Sequence, residues 1–454
     1  MRALTLLLAI GCATAPRPEK LLSEAVRFPT VAGNDQARKD QQAWLLKTAA
    51  DLGLQARDAG PVTEIELPGP PGAPVLGLVV HGDVQPVDEK QWTTPPFAGV
   101  IKNGYVHGRG AADDKGPLVD ALLAMHALKG ASLTQTVRLL VGSDEESGSQ
   151  DIKTYLSSHA PPSYTLVLDS EFPVVVGEKA WDGLQVDAAE GGIEDLEAGI
   201  SPSIVPDRAK LTLKADADFE KKLHAPDKDT RVELQRRGEL LDITVHGRAA
   251  HSGVNIAGGR NALVSLAHVV GGLLPDCPAR DLLAFTDHVL GLQLPAAGGW
   301  RGWAINPGTV KHANGKYTLI VNLRRPPPWS AAQSREHLFA AVKAFSPRLE
   351  PGDYYFGDEP LVFDPNAKIV KRLMDDYARA TGERPPLAVS GGGTYAKKIP
   401  NAIAFGMWFP GKPYPGHDVD EKQPIDDLQR GLEILSLTLR DLATSPPLQD
   451  PFQP

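Results

Sequence analysis

Three short, largely apolar runs, each ending in charged side chains, constrain this chain more than anything else in it. Val75–Val80 leads into His81-Gly82-Asp83, Val137–Val141 into Gly142-Ser143-Asp144-Glu145-Glu146, and Tyr164–Leu168 into Asp169. Runs of strand length without alternation belong to strands covered on both faces, as in the parallel sheet of an α/β domain. Ligands of open α/β sheets bind outside the carboxyl ends of the strands. Three runs delivering polar residues to that edge predict a site there.

Between the first two runs, Gly108-Arg109-Gly110-Ala111-Ala112-Asp113-Asp114-Lys115-Gly116 sets two adjacent carboxylates among small residues. Pro117 opens an apolar stretch reaching Leu128. Proline favours the first helical position, so a helix is predicted from about Gly116–Pro117, with both acids in the loop feeding it. Anions are favoured there by the positive end of the helix dipole.

Around this nucleus, Leu21–Leu52 reads as helical with a break near Pro29–Asn34. From about Gly183 the pattern changes to alternation, as in Ala209–Leu213 and Leu241–Val245, which suggests half-exposed antiparallel strands. Helices are predicted near Asn261–Leu274 and Ser330–Phe345, the second with a capping box of Ser330 and Gln333. The α/β pattern returns at Asp364-Pro365, read as an N-cap and its proline, with a helix running to Gly382. The Gly391-Gly392-Gly393-Thr394 turn, the strand Ala402–Phe405, a loop with His417 and a helix Ile425–Leu442 follow. The expected fold is α/β, a doubly wound catalytic domain in two parts (21–183 and 358–445) with an inserted α+β lid domain (184–357). Residues 1–20 are expected to be a leader and tether, and 446–454 a tail.

A net charge of −9 argues against nucleic acid as the main partner. Two cysteines, Cys12 and Cys277, allow no thiolate zinc site, so any metal must be held by His and carboxylates. Ala9-Ile10-Gly11-Cys12, after a short apolar run, resembles a bacterial lipoprotein processing box. The expectation is an envelope lipoprotein tethered through lipidated Cys12; the alternative is a cytoplasmic protein with a frayed terminus.

The strand-end residues are His81, Asp113, Glu146, Asp169 and His417. Two imidazoles and three carboxylates suit zinc, with manganese or cobalt as substitutes. Five ligands exceed one tetrahedral ion but fit two if one carboxylate bridges. Metals ~3.5–4 Å apart would share a water and lower its pKa towards ~7. Of Glu145 and Glu146, one can bind metal while the other handles the proton of the attacking water. Asp83 is expected to hold the second ring nitrogen of a metal-bound His81.

These motifs resemble the two-zinc aminoacylase and carboxypeptidase G family, most closely its carnosinase-like and peptidase V dipeptidases. The matching text includes His81-Gly-Asp83-Val with Trp92 and Pro96-Phe97, the Gly108–Pro117 loop, Ser143-Asp-Glu145-Glu146-Ser-Gly, and Asp169-Ser-Glu-Phe-Pro. Ala250-His251-Ser, Asn322-Leu-Arg324-Arg325-Pro326 and Gly391-Gly392-Gly-Thr394-Tyr395 extend it. The resemblance implies a zinc-dependent dipeptidase with two Zn2+. It implies Asp113 as the bridging ligand followed by a cis peptide, His81 with Asp169 on one ion, and Glu146 with His417 on the other. It implies Glu145 as general base, His251 as the group stabilising the oxyanion, and Arg324 as the clamp for the substrate carboxylate, helped by backbone near Gly392–Thr394. A lid that supplies its own His251 resembles monomeric peptidase V.

Two departures bear on specificity. Ser203 stands where peptidase V-like sequences carry Asn, which puts the hydroxyl's reach to the carbonyl in question. Arg325 replaces a tyrosine and is expected to bias the site towards acidic substrates. The alternatives to a dipeptidase are an N-acyl amino acid deacylase of the same family and a catalytically silent peptide-binding lipoprotein.

Overall fold

Leu76, Leu78 and Val80 face one side of the Val75–His81 strand and Val79 the other, and all four are fully buried. The first three join a core with the helices Lys115–Ala127 and Ile425–Thr444. Val79 joins Leu140, Val167, Ala402 and Ala404 in a second core against Ile152 and Tyr155 of the Gln150–Leu156 helix. Burial on both faces is why these strands lack alternation. The computed structural model describes residues 16–290, 302–327, 329–414 and 416–448.

The sheet has six strands in the order Gln55–Asp58, Thr63–Leu67, Thr136–Gly142, Val75–His81, Tyr164–Val167 and Ala402–Ala404. The last four run parallel and the first two are antiparallel to their neighbours. His81 therefore ends the strand lying between those that lead to Glu145-Glu146 and to Asp169, at one edge of the sheet.

The lid is an eight-stranded antiparallel sheet whose strands bury one face, in line with their alternating sequences. Helices Ala262–Val270, Pro278–Leu290 and Ala331–Phe345 contribute to its separate core. The chain enters this sheet on Ala180–Ala189 and leaves on Leu349–Asp358, and these two strands pair with each other. Both crossings between the two bodies thus lie side by side.

Several local expectations need correcting. The Pro278–Leu290 helix lies where the sequence reading placed no element. Asp364 is not an N-cap: its carboxylate accepts the N–H of Asn366 at 2.8 Å, and the helix starts at Lys368 behind Ala367. The capping box of Ser330 and Gln333 is present. Cys277 is buried in the lid. Cys12 lies outside the described residues, among which no helix is long and apolar enough to cross a membrane.

Candidate metal centre

The parallel strands and the Gly108–Gly116 loop bring Asp113 between two imidazoles. Its Oδ1 lies 2.9 Å from His81 Nε2 and its Oδ2 3.1 Å from His417 Nε2. Asp169 Oδ2 is 3.8 Å from His81 Nε2, and Glu146 Oε1 is 3.0 Å from His417 Nε2. All five residues singled out from the sequence therefore meet, with one carboxylate in the middle and one His–carboxylate pair on each side. The Asp113–Asp114 peptide is cis.

The geometry asks for cations. His81 Nδ1 lies 3.0 Å from the main-chain carbonyl of Asp83, which fixes the ring proton there and turns the Nε2 lone pair towards carboxylate oxygens. An acceptor facing an acceptor is resolved by a second ring proton or by a metal ion. Burial works against a charged His417, yet Glu146 and Asp113 outweigh it and lift its pKa to about 10. Burial and the surrounding carboxylates push Glu145 and Asp169 well above the usual range. Ligand-capable atoms of His81, Asp113 and Glu146, and of His81, Glu145 and Asp169, lie within 4.8 Å of one another. Imidazole and carboxylate together are a donor set for zinc, manganese or cobalt, so the residues fit the implied metal.

Asp83 plays a different part from the one expected. The ring of His81 is held by the main-chain oxygen of Asp83, and its carboxylate comes no nearer to Nδ1 than 3.6 Å. That carboxylate instead accepts the backbone N–H groups of Glu145 at 3.1 Å and Glu146 at 3.0 Å, fixing the loop that carries both acids. Glu146 is further held by Gln85 at 2.8 Å, whereas no hydrogen bond to the Glu145 carboxylate occurs among the described residues.

The lid brings His251 over this centre, its ring centroid 4.5 Å from that of His417. His251 Nδ1 accepts the N–H groups of Gly253 and Val254, each at 2.9 Å, so the ring proton sits on Nε2. Burial, then the nearby His417 and Arg324, keep its pKa well below the ordinary value. Arg324 is buried, donates to Asn322 at 3.2 Å and, among the described residues, pairs with no carboxylate. Burial lowers its pKa to about 10. Gly253 and Gly391 touch between lid and sheet domain: a Cβ on Gly391 would stand 2.1 Å from the Gly253 carbonyl oxygen. Gly392 and Thr394 line the same cleft as Glu145, His251 and His417.

Three substrate-side expectations change. Thr394 is not free to bind substrate, because its N–H and hydroxyl both donate to Glu178, at 3.0 and 2.8 Å. Ser203 Oγ accepts the indole N–H of Trp181 at 3.2 Å and is absent from the cleft lining. Arg325 does not face the site: neighbours on a strand point to opposite faces. It is fully buried, and its guanidinium is tied to Asp182 and Glu359, each at 2.7 Å. The expected bias towards acidic substrates from Arg325 is therefore withdrawn.

Sequence reading also missed residues. Tyr414 donates its hydroxyl to Asp113 Oδ2 and packs between Trp408 and His251. Glu421 accepts the N–H groups of Ala112 and Asp113, at 2.9 and 3.2 Å, and pairs with Arg109 at 2.7 Å. Each acts from more than 300 residues away in sequence, and neither stands in a motif.

An α/β domain with a metal-competent carboxylate between two histidines, capped by an inserted lid, defines the class of metal-competent hydrolase folds. Residues 77–441 match the profile of peptidase family M20/M25/M40, and the chain belongs to that family. A Bacillus subtilis protein provisionally named dipeptidase YtjP is 27% identical over 401 residues, covering 82% of this chain and 84% of its own. A Staphylococcus haemolyticus protein provisionally named a dipeptidase is 27% identical over 371 residues, covering 74% and 76%. Among solved structures, human carnosine dipeptidase 1 superposes with a TM-score of 0.61 at 15% identity, covering 94% of this chain and 96% of that one. The Saccharomyces cerevisiae dipeptidase Dug1p gives 0.60 at 15%, covering 93% and 95%. These two likenesses concern the fold.

Proposed function

We propose that this protein hydrolyses the peptide bond of dipeptides, using two divalent metal ions held by His81, Asp113, Glu146, Asp169 and His417. One observation carries the reading: an unengaged Glu145 carboxylate stands beside a carboxylate flanked by two imidazole nitrogens. When bound, the metal pair supplies charge stabilisation and a water of lowered pKa.

The chain's own residues do the rest. Arg324, with no carboxylate of its own, clamps the terminal carboxylate of the substrate through a guanidinium fork. The glycine contact between lid and sheet domain lies beside Arg324, where a Cβ on Gly253 would stand 2.9 Å from Nε, and a crowded end of this kind suits a substrate with one residue beyond the scissile bond. His251 donates Nε2–H to the oxygen that becomes negative as the carbonyl is attacked. Glu145 takes the proton of the attacking water and returns it to the leaving amine.

A panel of dipeptides run beside N-acetyl, N-succinyl and N-carbamoyl amino acids, with and without chelator, tests this. Dipeptides should be turned over, and chelator should stop it. Faster release from the N-acyl compounds would make the protein a deacylase, and inertness towards all would support a silent binder. Glu145→Gln should lower kcat by at least ~10²–10⁴-fold with metal content unchanged; an unaltered rate would remove Glu145 from its role.

A further inference from the structure

A second cavity opens past His417, between the lid and the sheet domain. It shares only His417 with the cleft around Glu145 and His251, and it is larger, about 180 Å³ against about 40 Å³. A substrate held at Arg324 by its carboxylate, with its scissile carbonyl at the metal ligands, continues past His417 into this space. The walls come from both bodies: the Asp88–Trp92 turn on one side, and the strands carrying Glu197 and Arg208 on the other.

The charges on these walls do not cancel. Arg109 is neutralised by Glu421 at 2.7 Å, whereas Lys210, the cross-strand neighbour of Glu197, lies 3.5 Å from Asp242, a carboxylate that Arg237 already holds at 2.7 Å. Asp88, Glu197 and Asp207 have no ion pair, and Arg208 is the one lining cation without one, among the described residues. Three carboxylates without an ion pair thus face Arg208, which also has none, and Lys210, which shares Asp242 with Arg237, so acids outnumber bases three to two on these walls. Burial also raises the Asp207 carboxyl above its usual range, a strain that a neighbouring cation would relieve. Between the charges lie apolar surfaces, the Trp92 ring and Ile200, which is 53% exposed.

We propose that this cavity receives the side chain of the substrate's amino-terminal residue and selects a long cationic one: lysyl, arginyl or ornithyl. The aliphatic stem covers Ile200 and Trp92 while the charged head reaches the carboxylates, the division of labour by which such side chains bury their stems. The inference rests on the dipeptidase reading and adds the substrate class to it.

The test is kcat/KM for Lys-Ala, Arg-Ala, Leu-Ala and Glu-Ala at low ionic strength with metal loaded. Lys-Ala and Arg-Ala should exceed Leu-Ala by about tenfold, the scale of one partly screened charge pair, and Glu-Ala should be poorest. The Asp88→Asn/Glu197→Gln double variant, which keeps both shapes, should bring the Lys-Ala to Leu-Ala ratio close to one. At exposed position 197, Glu197→Lys should raise Glu-Ala relative to Lys-Ala, and this gives a second readout should the double variant fold poorly. Equal use of all four substrates, or a basic preference that survives these changes, overturns the proposal while leaving a dipeptidase. Hydrolysis of no dipeptide at all overturns the dipeptidase reading and this inference with it.

Discussion

Replacing Tyr414 with Phe removes one oxygen atom from beneath the metal centre and leaves the packing in place. The ring packs at a tilt against Trp408, centroids 4.3 Å apart, and meets His251 edge-on at 5.9 Å, and both contacts survive in Phe. What disappears is the hydroxyl's hydrogen bond to Asp113 Oδ2, the oxygen that also faces His417. Burial, then Asp113, raise the phenol pKa well above its ordinary value, so the hydroxyl stays protonated and donates. A hydrogen bond to a charged group contributes about 1.5–3 kcal/mol, and supports of this kind change metal affinity by about 10–100-fold. Tyr414→Phe should therefore bind zinc about 10–100-fold more weakly in competition with a chromophoric chelator. Added metal should restore much of its kcat, because no reacting group is lost. An affinity equal to that of the parent protein would refute the argument that Tyr414 holds the central carboxylate in place.

Other outcomes follow from single side chains. Arg324→Ala should lower kcat/KM for dipeptides by about 30-fold or more, the cost of losing a buried charge pair of about 2–5 kcal/mol. It should also erase discrimination between dipeptides and dipeptide amides; retained discrimination would place the carboxylate clamp elsewhere. Asp376 is fully buried, no hydrogen bond reaches its carboxylate among the described residues, and its ion-pair partner, Arg379 at 3.3 Å, is mostly exposed. Burial, then Asp441, lift its pKa to about 7. The folded chain holds this proton where the unfolded chain releases it, so stability falls as pH rises from about 4 to about 7. Asp376→Asn removes that loss. Melted in chelator, the variant should match the parent near pH 4 and exceed it by roughly 2–3 kcal/mol at pH 8, discounted from the full shift for partial solvation. A difference independent of pH would show that Asp376 is ionised in the fold.

The sheet and the centre were legible where the information is local. Val75–Val80 and Val137–Val141 announce strands covered on both faces, and their ends carry His81 and Glu145-Glu146 whatever the lid does. The Pro278–Leu290 helix, where the sequence reading placed no element, begins on a proline, which is itself a helix start signal. Arg325 was misjudged for a reason that strand geometry could have supplied: the residue beside Arg324 must face the other way. The part played by Asp83 could not be read, because a main-chain carbonyl serves His81 and leaves no trace in side-chain identity. Tyr414 and Glu421 were invisible for want of a motif, their contacts being set by how the last segment returns over the Asp113 loop.

That return has a consequence for how the protein comes into being. His81, Asp113, Glu146 and Asp169 all precede the excursion from Ala180 to Asp358, and His417 follows it. A ribosome emitting this chain from its amino end must release the whole insertion before the second imidazole exists. A nascent chain can therefore gather four of the five proposed ligands but only one histidine, and the side of Asp113 that faces His417 stays open. Hydrolytic power is thus deferred during biogenesis until the cap that governs access has itself been made.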